Sequence, residues 1–230
     1  MISFTMFFCR WIFVAVLGVL VFASESFAGE ERERLLDENF WHRANGSDVM
    51  KLLEDGADIN ARDVAGRTAL HIAAQHSGSI DAVATLLYNG AEINTRDVNG
   101  WTPLHRNAAF GNDLGVLRLL LARGADVSAR GNFGATALHW AAEFADDWEV
   151  VVVLLDGGSD VSALDAVGRT PLHWVAAWRF SGDADAPRVV NVLLDHGAQI
   201  DLQDNHGLTP LQLAMTLGQN QRVIRILNGE

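Results

Sequence analysis

The chain has 230 residues, 49% of them hydrophobic, so it carries the apolar material for a sizeable core and is not a disordered polyanion. Its formal net charge is -12, and Lys51 is its only lysine. That acidity, without any basic patch, excludes a nucleic-acid partner, whose phosphates would be repelled at long range.

Residues 1-28 differ from the rest. Arg10 and the amino terminus precede an uncharged apolar run of 13 residues from Trp11 to Ala23, and Ser26-Phe27-Ala28 stands before Gly29. A short positive region, an apolar core and a small-x-Ala site together read as a secretory signal peptide. The alternative is an uncleaved anchor, but a spanning helix needs about 17 to 25 apolar residues. Extension back to Ile2 would put Arg10 in the bilayer at a cost of roughly 2.5 to 3.5 kcal/mol. Cleavage after Ala28 removes Arg10 and Glu25 together, so the net charge stays at -12, and it removes Cys9, the only cysteine. The mature chain is then expected in the periplasm or outside the cell, free of the membrane, with no disulfide or thiolate chemistry. Phe7 and Phe8 before Cys9 do not resemble a lipoprotein processing box.

Beyond residue 28 the sequence repeats itself. An opening unit, 29-62, has two helical stretches, Leu35 to Ala44 and Ser47 to Asp55, and lacks the motif that follows. That motif recurs as Gly66-Arg-Thr-Ala-Leu-His71, Gly100-Trp-Thr-Pro-Leu-His105, Gly134-Ala-Thr-Ala-Leu-His139, Gly168-Arg-Thr-Pro-Leu-His173 and Gly207-Leu-Thr-Pro-Leu-Gln212. It divides the chain into units 63-96, 97-130, 131-164, 165-203 and 204-230. A second marker, a leucine doublet from Leu52-Leu53 to Leu193-Leu194, is followed by Gly56, Gly90, Gly124, Gly158 and Gly197, at spacings of 34, 34, 34 and 39.

Each unit has a local logic. Thr68, Thr102, Thr136, Thr170 and Thr209 are expected to N-cap a first helix with their hydroxyls, and Pro103, Pro171 and Pro210 suit its first position. Small pairs, Ala73-Ala74 and Ala141-Ala142, allow close helix approach. Ser79, Asp113 and Asp147 start a second helix whose apolar residues fall at i, i+3 and i+4, as Val83, Leu86 and Leu87 or Val151, Leu154 and Leu155. The glycine after each doublet suits the left-handed end of a helix, and Asp-x-x-Gly turns such as Asp63 to Gly66 project as hairpin-like fingers. One unit buries too little to stand alone, so the units must stack. In the last, Gln219, Asn220, Gln221, Arg222 and Arg225 around Val223, Ile226 and Leu227 form the polar outer face of a terminal cap.

Gly-x-Thr-Pro-Leu-His with a downstream Leu-Leu-x-x-Gly-Ala resembles the ankyrin repeat, from about Glu31 to the C-terminus, and the chain looks like an exported, bacterial-type member. The resemblance implies an all-α solenoid of stacked helix-turn-helix units with β-hairpin-like fingers, and a non-catalytic protein that holds a partner protein. Departures from the family pattern are one extra residue per repeat between the helices, five more in the fourth full repeat, Gly131 in place of the turn aspartate, and Asn107 and Val175 in place of the first alanine. These suggest local distortion.

In that family, partners meet the fingers and the exposed end of the first helix. Here the fingers carry Val64, Arg67, Val98, Trp101, Phe133, Val167 and Arg169, and the helix ends carry His76, Phe110, Phe144, Trp178, Arg179 and Phe180. Aromatics and arginine are common interface anchors. Trp140 and Trp174 are expected in the core, and Trp101, Phe133 and Trp178 at the surface. The insertion from Arg179 to Ala186 reads either as a recognition loop or as a linker ending at Pro187, with Trp178 and Phe180 favouring the former.

Histidines 71, 105, 139 and 173 recur at one register. Stacked repeats would set them about 10 Å apart, too far to share an ion with bonds near 2 Å; the resemblance makes each a structural hydrogen bonder. No nucleophile elbow, phosphate loop or paired-carboxylate spacing appears. Asp146 and Asp147 read as a helix cap, and Asp183 and Asp185 as a solvated loop. The leading expectation is a monomeric binding module without cofactors, acting outside the cytoplasm, whose acidity favours a basic partner. Sharper forms are an inhibitor, immunity factor or protective companion of an exported enzyme or toxin, and a secreted effector acting in a host cell. The rival of another class is an enzyme or metal carrier on the histidine ladder.

Overall fold

The repeating motif becomes a repeating helix pair. The computed structural model describes residues 34-76, 79-111, 113-144, 147-177, 185-217 and 221-230. The signal-peptide reading of residues 1-28, the candidates Trp178, Arg179 and Phe180, and the insertion as far as residue 184 lie outside the described residues.

Twelve α-helices are described, and no strand among the described residues. After a short 3-10 turn at Arg34–Leu36 come α1 (Glu38–Trp41) and α2 (Gly46–Glu54). The repeats follow as α3 (Ala69–His76) with α4 (Ile80–Tyr88), α5 (Pro103–Phe110) with α6 (Leu114–Ala122), α7 (Ala137–Phe144) with α8 (Glu149–Asp156), and α9 (Pro171–Ala177) with α10 (Ala186–Asp195). The last pair is α11 (Pro210–Leu217) and α12 (Gln221–Leu227). Odd-numbered helices pack side by side in one row and even-numbered helices in a second, the all-α solenoid that the pattern predicts.

One apolar cluster runs from Leu35 to Leu227 without interruption. The first leucine of each doublet, Leu52, Leu86, Leu120, Leu154 and Leu193, is buried in it, and the second packs on its edge. Helix ends follow their residues. Gly56, Gly90, Gly124, Gly158 and Gly197 have φ of 88 to 93°, the left-handed region that a Cβ disfavours. Ser79 and Asp113 accept amides at the starts of α4 and α6, and Asp147 accepts the Glu149 amide at 2.9 Å.

Thr102, Thr170 and Thr209 cap with their hydroxyls as expected, Thr102 in a capping box with His105, and the histidine ring, where one follows, adds a second cap. The Thr68, Thr102, Thr136 and Thr170 amides donate to Nδ1 of the histidine three residues on, at 3.1 to 3.2 Å, and each hydroxyl lies 2.9 to 3.0 Å from the same nitrogen. The imidazole thus satisfies the amide of the capping threonine itself. The Thr170 and Thr209 hydroxyls accept the amide three residues on at 3.4 and 3.3 Å. Nε2 of each histidine reaches a carbonyl of the next repeat: Trp101 at 3.0 Å, Ala135 at 3.3 Å, Arg169 at 3.0 Å and Leu208 at 3.1 Å. A neutral ring protonated at Nε2 satisfies both ends. Burial holds all four below the ordinary histidine value, His105 and His139 down to about 4.

The fingers are joined by one amide each: Val98 to the Ala65 carbonyl, Asn132 to Asn99, Ala166 to Phe133 and Asn205 to Val167, at 2.9 to 3.0 Å. Arg62, Arg96 and Arg130, one per repeat, donate Nη1 to the backbone carbonyls of Arg96, Arg130 and Leu164 in the following finger. Three of the departures expected to distort the repeats, Gly131, Asn107 and Val175, keep the local frame; the inserted residues between the helices lie largely outside the described residues. Gly131 keeps the finger, accepting the Gly134 amide at 2.9 Å. Asn107 is buried and donates Nδ2 to the Ala74 carbonyl at 2.9 Å, tying α5 to α3, and Val175 is buried in the core.

A candidate protein-binding face

Fingers and odd-numbered helices share one side of the stack. Val64, Val98, Phe133 and Val167 stand exposed on the fingers, Val64 fully so at 105%. Behind them the aromatic side chains of three repeats touch in a column. Trp101 lies 4.4 Å from Trp140 between ring centroids, and Trp140 lies 4.9 Å from Trp174. Phe110 and Phe144 flank it, 5.9 Å apart, at 5.9 Å from Trp101 and 5.8 Å from Trp140 respectively. Such offset and edge contacts add to the burial that each ring already brings.

Carboxylates thread this column, and the register decides how each is used. Each finger aspartate accepts two amides of its own turn on Oδ1, as Asp97 does from Asn99 at 2.8 Å and Trp101 at 3.0 Å. Its Oδ2 then meets a nearby donor. Asp63 takes Arg67 Nε at 2.7 Å, Asp97 takes Arg106, Asp165 takes the Trp174 indole at 2.8 Å, and Asp204 takes Arg169 Nε at 3.3 Å. Burial pushes Asp63 and Asp204 up, but the amides and guanidiniums outweigh it and hold both below the ordinary value. Arg106 also sits over Trp101, 4.9 Å from the ring centroid.

The third full repeat breaks the pattern. Trp140 occupies the register of Arg106 and Trp174, but Gly131 offers no carboxylate, and the Trp140 indole N–H is buried without a hydrogen-bond partner among the described residues. On the same helical face, three residues on, stands Glu143. It is half-buried, with no hydrogen bond or ion pair among the described residues; burial pushes its carboxyl up, and the positive charge of Arg169 offsets this only in part.

The predicted site residues therefore sort into groups. Val64, Val98, Phe110 and Phe133 are exposed, Phe110 at 44% and Phe133 at 67%, and Phe144 is half-buried beside Phe110. Trp101, expected at the surface, is 8% exposed and stacks between Phe110, Trp140 and Arg106. Trp140 and Trp174, expected in the core, are only half-buried and face the fingers. Arg67 is held by Asp63 and by Glu38 at 2.6 Å, and Arg169 by Asp204 at 3.3 Å; both remain partly exposed. His76 lies apart from the column, 3.8 Å from Glu38 and 5.4 Å from the His42 ring. Sequence reasoning missed Glu143 and the Asp97–Arg106 pair. The signal for Glu143 was a charge where its register neighbours are Ala109 and Ala177.

The ladder histidines offer no open ring nitrogen, because each has both engaged in the hydrogen bonds above. Among the described residues no group of three His, Cys, Asp or Glu side chains could hold a metal ion, and no helix is long and apolar enough to cross a membrane.

A family model described as ankyrin repeats, three copies, matches residues 40-97, 89-165 and 138-229. No curated protein matches the chain.

Proposed function

The chain belongs to the ankyrin-repeat family of protein–protein interaction modules, and from that premise we propose that it is a non-catalytic binding protein acting outside the cytoplasm through its finger and first-helix face. The observation that carries this reading is the aromatic column from Trp101 to Trp174, edged by exposed Val98, Phe110 and Phe133. A contiguous apolar strip of this kind on a folded protein marks an interaction surface. The net charge of -12 favours a basic partner and a salt-sensitive association rate. The location rests on the apolar segment before Gly29. Inhibition or protection of one exported enzyme or toxin is the sharper form of the same reading; action in a host cell predicts release beyond the cell envelope.

Affinity capture with the native chain, and with Val98→Asp/Phe133→Asp, tests the surface. The proposal expects one captured protein to be lost with the double variant and kept with the exposed second-helix control Arg118→Asp; equal recovery by all three contradicts it. Fractionation of the tagged chain tests the location, with recovery in the cytoplasmic fraction as the opposing result.

A further inference from the structure

We infer that the finger at Gly131 is a receptor for one aspartate or glutamate carboxylate of the partner protein, which accepts the amides of Phe133 and Ala135 and the Trp140 indole N–H. This rests on the protein-binding reading and names the chemistry of one contact in it. In the other four fingers an aspartate of the chain fills this role. Its Oδ1 takes the amides two and four residues on, at 2.8 to 3.1 Å in all four. In two of them Oδ2 takes a side-chain donor nine residues on, Arg106 on Asp97 and the Trp174 indole on Asp165. The third finger has the same backbone: Gly131 donates to the Ala135 carbonyl and accepts the Gly134 amide, the two bonds that Asp165 makes with Arg169 and Gly168. It has no carboxylate. The Phe133 and Ala135 amides therefore have no acceptor among the described residues. Neither has the buried Trp140 Nε1, nine residues beyond Gly131 as Trp174 is beyond Asp165. Buried donors rarely stay unpaired in a folded protein.

Shape and charge at this finger suit a carboxylate. No atom stands within 3.1 Å of the point that a Cβ on Gly131 would take. The nearest are Trp101 Cδ1 at 3.1 Å, the Asn99 carbonyl at 3.4 Å, which already accepts the Asn132 amide, and Trp101 Nε1 at 3.4 Å. That indole N–H is a further donor, at the register from which Arg169 Nε reaches Asp204 in the next finger. Residue 135 is alanine where the other fingers carry Arg67, Trp101, Arg169 and Leu208, so the base of this finger has the least side chain of the five. Arg62 and Arg96 each precede a finger aspartate, whereas Arg130, bonded to the Gly134 carbonyl at 2.9 Å, precedes Gly131. The third finger thus carries a cation with no acid beside turn amides that form an anion-binding concavity. Exposed Phe133 at its tip sets the site on the proposed contact face, where a docked protein brings its side chains.

The probe is Nα-acetyl-aspartic acid amide, titrated at constant ionic strength into the 15N-labelled full chain while the Phe133 and Ala135 amides and the Trp140 indole N–H are followed. Neutral Nα-acetyl-asparagine amide and sodium chloride are the controls. The expected result is saturable downfield movement of all three resonances with one shared affinity, weakened about tenfold in Trp140→Phe, which keeps a ring and loses the donor. Non-saturating shifts, equal shifts with either control, or unchanged affinity in Trp140→Phe overturn the inference. Gly131→Asp supplies the carboxylate from within, so it must move the same resonances downfield without probe and abolish probe binding; binding that persists in this variant overturns the inference too. The native-chain titration decides the matter even if a variant is unstable. Since the probe is a single blocked amino acid, failure here leaves the capture experiment on Val98 and Phe133 as an independent judge of protein binding.

Discussion

Trp101 lies tight against residue 131: a Cβ on Gly131 would lie 3.1 Å from Trp101 Cδ1, so the indole would have to give by a few tenths of an ångström. The glycine that replaces a finger aspartate is therefore the counterpart of a buried tryptophan one repeat away. Restoring the aspartate offers the orphaned Trp140 indole an acceptor but displaces Trp101. Gly131→Asp is predicted to destabilise the chain by about 1 to 3 kcal/mol in urea unfolding, as overpacking does. The same change in a Trp101→Ala background should cost less or stabilise, a coupling visible in the double-mutant cycle.

His139 joins two repeats, taking the Thr136 amide on Nδ1 and reaching the Arg169 carbonyl from Nε2. At Thr209 the cap is made instead by Gln212 Oε1, at 3.0 Å. His139→Gln should therefore keep the cap, lose the bridge and cost about 1 kcal/mol. His139→Ala leaves an amide and a carbonyl unpaired and should cost about 3 kcal/mol or more. Urea midpoints of the two variants check the order.

The depressed histidines fix the sign of the acid response. Their folded values lie below the unfolded value of 6.5, with His105 and His139 at about 4. The unfolded chain thus binds more protons between those limits. Stability is fully present above pH 6.5 and is lost as pH falls from 6.5 toward 4, by roughly 3 kcal/mol for each of these two residues. Unfolding free energies at pH 7.5, 6 and 4.5 should show this fall, and His105→Gln/His139→Gln should flatten it.

Asn107 ties two first helices through the Ala74 carbonyl. Asn107→Ala restores the repeat's own alanine yet leaves that carbonyl without its donor, and is predicted to lower stability by about 1 to 2 kcal/mol. Thermal unfolding of the variant checks it.

What the sequence revealed and what it hid follow from range. Features set within one repeat were legible: the left-handed glycines, the Ser79 and Asp113 caps, the buried first leucine of each doublet. Features that need two repeats read together were not. Trp101 looks like a finger residue until Gly131, 30 positions later, is placed beneath it, and Trp140 looks like core until Trp101 and Trp174 are stacked on either side. The Arg62, Arg96 and Arg130 ladder was written in the 34-residue spacing, but a lone surface arginine does not announce a carbonyl in the next finger. Glu143 stood out only once the other acids of the face had been paired.

The central claim, that the finger and first-helix face holds a protein partner, is tested most directly by site-specific photocrosslinking in cells. A photoreactive residue at Phe133 should capture one partner band, and the same residue at Arg123, exposed on the second-helix row, should capture none. Crosslinking from residue 123 with none from residue 133 would contradict the account.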